Sequence, residues 1–97
     1  MELPQFQSYG NYSNDNYGNH TLQIFLPGIT LWYSYKTIVA YRDSQDGLVV
    51  CENIWGPTTG KHLNWIDDGD KKNRIKSDEF DTMLKAALER HFVVERQ

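Results

Sequence analysis

The chain has 97 residues, enough for one small domain with room for one sheet and one or two helices. Ten basic residues stand against thirteen acidic ones, a net charge of −3, which argues against a general electrostatic grip on nucleic acid but leaves room for a local basic patch. The single cysteine, Cys51, excludes an intramolecular disulfide and suits a reducing compartment. It lies in the apolar run Leu48-Val49-Val50-Cys51 and reads as a small core residue. No apolar stretch approaches the roughly 20 residues of a membrane span, and the start, Met-Glu-Leu-Pro-Gln, lacks the pattern of a secretion signal. The expected location is the cytoplasm.

Residues 1–19 are polar and rich in Asn, Tyr, Ser and Gly. They read as an aromatic-studded segment before the domain proper, residues 20–97, with tyrosines available to dock it. His20 to Leu26 alternates, with Leu22, Ile24 and Leu26 on one side and Thr21, Gln23 and Phe25 on the other. Pro27-Gly28 predicts a tight turn. Ile29 to Tyr35 is a second strand, Ile38 to Arg42 a third and Leu48 to Ile54 a fourth, with a loop from Asp43 to Gly47. Short strands with short connections predict an antiparallel meander.

Lys61 to Ile66 reads as a short helix, stopped by Asp67-Asp68-Gly69-Asp70. Lys71 to Lys76 is basic and expected to be extended. Ser77 is placed to cap a second helix, with Asp78 and Glu79 in its first turn. Phe80, Met83, Leu84, Ala87, Leu88 and His91 then share one helix face. The expected fold is α+β, a two-layer domain in which a small antiparallel sheet of about four strands packs against this C-terminal amphipathic helix.

The segment from Trp55 to Trp65 concentrates hydrogen-bonding side chains between two tryptophans and is the best candidate site. Its core, Gly56-Pro57-Thr58-Thr59-Gly60-Lys61-His62, invites comparison with a phosphate-binding loop. The match fails, because only three residues separate the glycines and His62 stands where a Ser or Thr would hold Mg²⁺. The underlying physics is more general: free N–H groups at a helix start, with a lysine, favour an anion. The bland alternative is that Thr58 or Thr59 caps the helix and Lys61 is solvated. His20 and His62 are candidates for general acid–base work, against the commoner role of a lone histidine as a structural hydrogen-bonder.

No zinc-ligand spacing occurs, and the Asp67–Asp70 run lacks the pattern of a calcium loop, so neither metal nor cofactor is expected. Lys71, Lys72, Arg74 and Lys76 could meet phosphates or lie on a solvated strand balanced by the neighbouring aspartates. Trp32, Tyr33, Tyr35, Tyr41, Trp55 and Trp65 divide between core and a stacking platform.

Three blocks carry a resemblance. They are Asn16-Tyr17-Gly18-Asn19-His20-Thr21-Leu22, then Tyr33-Ser34-Tyr35-Lys36-Thr37-Ile38-Val39-Ala40, then Asn53-Ile54-Trp55-Gly56-Pro57-Thr58-Thr59-Gly60-Lys61-His62-Leu63-Asn64. Over about residues 10–90 the chain resembles a family of small proteins of unknown function from phages, plasmids and bacterial genomes. The resemblance implies a mobile-element setting and a site where the blocks meet, at Tyr17, His20, Ser34, Tyr35, Thr37, Thr58, Thr59, Lys61, His62 and Asn64. The leading expectation is a small non-enzymatic binding protein for a phosphate-bearing ligand, a nucleotide or nucleic-acid end. One biological version is sequestration of a nucleotide signal used in host defence. The second reading is an interaction module that inhibits or adapts a host or phage protein, and the third a phosphodiesterase or nuclease using His20 and His62. An exposed strand edge would permit a homodimer.

Overall fold

A computed structural model describes residues 5–9 and 21–92. Five strands form one antiparallel meander in chain order: β1 (Gln5–Ser8), β2 (Thr21–Leu26), β3 (Ile29–Ser34), β4 (Thr37–Asp43) and β5 (Gly47–Val50). Two helices follow, α1 (Pro57–Asp67) and α2 (Ser77–His91), joined by a single 3-10 turn at Lys71–Asn73. The expected α+β class, the meander from β2 onward and the packing of the C-terminal helix on the sheet are all present.

Two-residue turns set the register. Leu26 pairs with Ile29 across Pro27-Gly28, where Gly28 has φ 86°. That conformation requires glycine, and a Cβ there would also sit 2.6 Å from His91 Nδ1. Ser34 pairs with Thr37 across Tyr35-Lys36. In this second turn it is Tyr35 that takes a positive φ, 57°, an outlier for a bulky residue.

Alternation then divides the sheet residues between two clusters. Ile29, Leu31, Tyr41, Val49 and Cys51 pack with Phe80 and Ala87 of α2. Trp32, Val39, Ala40 and Val50 pack with Tyr9 and with Leu63 of α1. The helices therefore cover opposite faces, and the domain has three layers where two were expected. Along β4 the alternation breaks once: Tyr33 pairs with Ile38 but Trp32 with Ala40, so Val39 is an extra residue, a β-bulge. Val39 and Ala40 consequently both enter the α1 cluster.

The polar N-terminal segment adds the fifth strand through main-chain pairing of Gln5–Ser8 with β2. Tyr9 docks the segment: it is buried, and its hydroxyl donates to the Tyr33 carbonyl at 2.6 Å. Cys51 behaves as a core residue, with its thiol pushed up to about 11 by burial. After Cys51 the chain runs beside Ile75, in a parallel bridge flanked by main-chain hydrogen bonds from Ile75 N to Val50 O (3.0 Å) and from Glu52 N to Ile75 O (2.7 Å). This contact brings Glu52 to the start of α2, where its Oε2 accepts the Ser77 N–H at 3.0 Å. Ser77 is thus the first helical residue rather than the cap, which is Lys76.

The far end of α2 is pinned to the β4–β5 corner. Buried Asp43 accepts a hydrogen bond from Arg90 Nη2 at 2.6 Å, lies 2.9 Å from His91 Nε2, and takes the Asp46 N–H at 2.7 Å. Asp46 also pairs with Arg90 and accepts from the Tyr41 hydroxyl. Burial raises the Tyr41 pKa, and the hydrogen bond to Asp46 raises it further. Among the described residues no helix is long and apolar enough to cross a membrane.

Candidate ligand clefts flanking the first turn of a helix

The start of α1 is built by Asn53. Its Oδ1 accepts the N–H groups of Trp55 (3.0 Å) and Gly56 (3.2 Å), and its Nδ2 donates to the Gly56 carbonyl at 2.9 Å. Gly56, the residue before the helix, has φ 150° and ψ −175°, a combination essentially restricted to glycine. Pro57 then opens the helix, where its missing N–H costs nothing. Gly60 is needed for a different reason: a Cβ there would lie 2.9 Å from Asn53 Nδ2. Both glycines of the loop thus serve the Asn53 clamp, which accounts for a spacing that does not fit a phosphate loop.

The helix has no side-chain cap, so neither threonine plays the capping role considered from sequence. Thr59 instead turns inward. Its Oγ1 lies 3.0 Å from Ser34 Oγ, and Ser34 Oγ lies 2.7 Å from His62 Nδ1. All three side chains are buried, Ser34 at 3 % exposure and His62 at 0 %. Tyr9 meets the His62 ring edge-on at 6.2 Å, and Tyr35 approaches it at 5.9 Å. This polar knot fixes the first turn of α1 to the end of β3.

Two cavities flank that turn, and Pro57 lines both. The first, about 500 Å³, lies between α1 and the segment after it. Lys61, Lys71 and Arg74 supply positive charge to its walls, and Asn53 and Asn64 supply amides. Among the described residues Glu52 is the one carboxylate in that lining, and its Oε2 is engaged by Ser77 N–H. Arg74 is held by Asp67, with Nε–Oδ2 at 2.7 Å and Nη2–Oδ1 at 2.9 Å, and it reaches Asn64 Oδ1 at 2.9 Å. Burial opposes ionisation of Asp67, but the Arg74 hydrogen bond and charge outweigh it and leave the Asp67 pKa lowered. The Arg74–Asp67 pair ties the segment after the 68–73 turn back to α1, and Lys71 lines the same cavity as Lys61. Two basic signals ten residues apart in sequence (Lys61 and Lys71) thereby become one feature.

The second cavity, about 340 Å³, opens on the other side of Pro57. Tyr35 and Trp55 line it, 44 % and 41 % exposed, together with the threonines Thr37, Thr58 and Thr59 and with Ser34.

The residues named from sequence are therefore sorted as follows. Tyr35, Thr37, Thr58 and Thr59 meet at the second cavity, and Lys61 and Asn64 at the first. His62 is fully buried, is not among the residues lining either cavity, and has its Nδ1 2.7 Å from Ser34 Oγ. Tyr17 and His20 lie outside the described residues, and with them the pairing of His20 with His62. Asn53 is a cavity residue that was not assigned to the site from sequence, although the Asn-x-Trp-Gly-Pro string was its signal; Trp55, at the edge of the candidate segment, lines the second cavity, and Lys71, one of the basic run considered for phosphates, lines the first. No cluster of three or more His, Cys, Asp or Glu suited to a metal ion occurs among the described residues.

Fold and clefts define a small α+β domain with a clamped helix start at its centre. Residues 1–82 match the model of a family of unknown function (DUF8033), and the chain belongs to that family. No curated protein and no solved structure matches the chain.

Proposed function

We propose that this protein is a non-enzymatic binding protein for a phosphate-bearing ligand, taken up in the cavity between α1 and the 71–74 segment. The observation that supports the reading is the convergence of Lys61, Lys71 and Arg74 on one concave site with the amides of Asn53 and Asn64. A site of this size falls in the usual range for small-molecule pockets. Arg74 is pre-positioned by Asp67, so little side-chain entropy is lost when it meets an anion. The phage or mobile-element setting rests on the sequence resemblance, and sequestration of a nucleotide signal is its biological form.

A thermal-shift series with inorganic phosphate, pyrophosphate and nucleotides tests this. Ligand at a hundredfold excess over Kd stabilises the native chain by roughly 2.7 kcal/mol. The Lys61→Ala, Lys71→Ala double variant is expected to lose that shift. Its own melting temperature stays close to the parent's, because surface substitutions usually stay within about 0.5 kcal/mol. An undiminished shift in the double variant would refute the site.

A second reading, an interaction module for a host or phage protein, draws support from the exposure of Ile54, Trp55 and Trp65. It predicts a flat thermal response to every phosphate compound and loss of a captured partner on replacing Trp65.

A further inference from the structure

We infer that the cavity walled by Tyr35 and Trp55 receives the base of the same ligand, which makes that ligand a mononucleotide. The inference rests on the phosphate reading of the neighbouring cationic cavity.

Three observations carry it. Among the described residues no acidic or basic side chain lines this second cavity, which suits an uncharged group. Its exposed walls are two large aromatic rings, and one of them, Tyr35, is held in place by a backbone conformation that a bulky residue rarely adopts, φ 57°. Strain retained at a ligand-facing position is a recurrent mark of function. The remaining lining is hydroxyl-rich. Ser34 and Thr59 are tied to each other and Ser34 to His62, which leaves Thr37 and Thr58 to address a ligand edge. A flat, uncharged group with hydrogen-bonding edges is a nucleobase, and aromatic side chains stack on any base face.

Pro57 borders both cavities, which makes them neighbours, and the inferred ligand has its base in one and its phosphate in the other. The acidic balance of the chain, −3, argues against a long nucleic-acid track and for a single nucleotide.

The test follows tryptophan emission while the full chain is titrated with the four nucleoside 5′-monophosphates, ribose 5-phosphate, inorganic phosphate and a short oligonucleotide. A nucleotide is expected to quench emission, and Trp55→Phe to remove the quenching while binding, read by calorimetry, persists. At least one nucleotide binds roughly tenfold or more tighter than ribose 5-phosphate. That ratio falls towards one in the Tyr35→Gly, Trp55→Ala variant, in which glycine keeps the turn conformation. Equal binding of nucleotides, ribose 5-phosphate and phosphate, without quenching, overturns the base pocket and leaves the phosphate site standing. Tighter binding of the oligonucleotide than of every mononucleotide overturns the mononucleotide assignment. No binding of any compound removes the phosphate reading and this inference with it.

Discussion

Replacing Asp43 with alanine is expected to destabilise the domain by about 2–3 kcal/mol, because a buried partner is removed from an ion pair. For a chain of this size the corresponding fall in melting temperature is roughly 10–20 °C. Asp43 is buried and gathers Arg90, His91 and the Asp46 N–H at one carboxylate. It is the point where the end of α2 is fastened to the sheet, and Arg90 retains only Asp46 when it is gone. The same carboxylate makes a pH prediction. Burial by itself would raise its pKa, but the hydrogen bonds from Arg90, Asp46 and His91 and the Arg90 charge outweigh burial and lower it to about 2, against 3.8 for the ordinary group. The folded-state value lies below the unfolded one, so the stabilisation is fully present above about pH 4 and is lost as pH falls towards 2. Its size is of the order of 2 kcal/mol. Melting curves at pH 7 and through the acid range should therefore show the gap between parent and Asp43→Ala closing from pH 4 to pH 2. A gap that stays constant would contradict the account of this corner.

His62→Ala is the second large effect, a loss of about 3 kcal/mol from the cavity it leaves and from a hydrogen bond removed in the core. His62 is fully buried and its Nδ1 meets Ser34 Oγ at 2.7 Å. Urea titration should show a lower midpoint with an unchanged slope. A double-mutant cycle with Ser34→Ala should give a coupling of about 1 kcal/mol, since the two residues share one network. A loss below about 1 kcal/mol would show that the knot does not hold α1 to β3.

The strands from β2 onward were legible because runs rich in β-branched and aromatic residues are separated by short breaks, two of which carry their own marker, Pro27-Gly28 and the polar run ending at Gly47. The second helix was legible because Phe80, Met83, Leu84, Ala87 and Leu88 are apolar at helical spacing. The first helix was read only in part, as Lys61 to Ile66. It buries Thr59, His62 and Leu63, with Ile66 partly buried, at offsets of three and four. Half of that face is polar, so hydropathy does not reveal that it covers a sheet, and the third layer was missed. β1 was missed for a similar reason: Gln5-Phe6-Gln7-Ser8 joins the sheet by main-chain pairing with little apolar signal.

The site was legible as a region but not as a geometry. Sequence grouped Thr58, Thr59 and Lys61 in one site for a phosphate-bearing ligand. Helical rotation instead sends Lys61 and Thr58 to cavities on opposite sides of Pro57 and turns Thr59 to Ser34. The contribution of Lys71 depends on the tertiary Asp67–Arg74 pair, which no local pattern announces.

The central claim is that a phosphate-bearing ligand enters the cleft beside the first turn of α1. It is tested most directly by following backbone amide signals of the labelled protein during titration with phosphate and with the best-binding nucleotide. The account predicts saturable shifts at Asn53, Gly60, Lys61, Asn64 and Lys71 with phosphate, joined by Tyr35, Trp55 and Thr58 with the nucleotide. Shifts centred instead on β1, β2 or α2, or none at all at millimolar ligand, would contradict it.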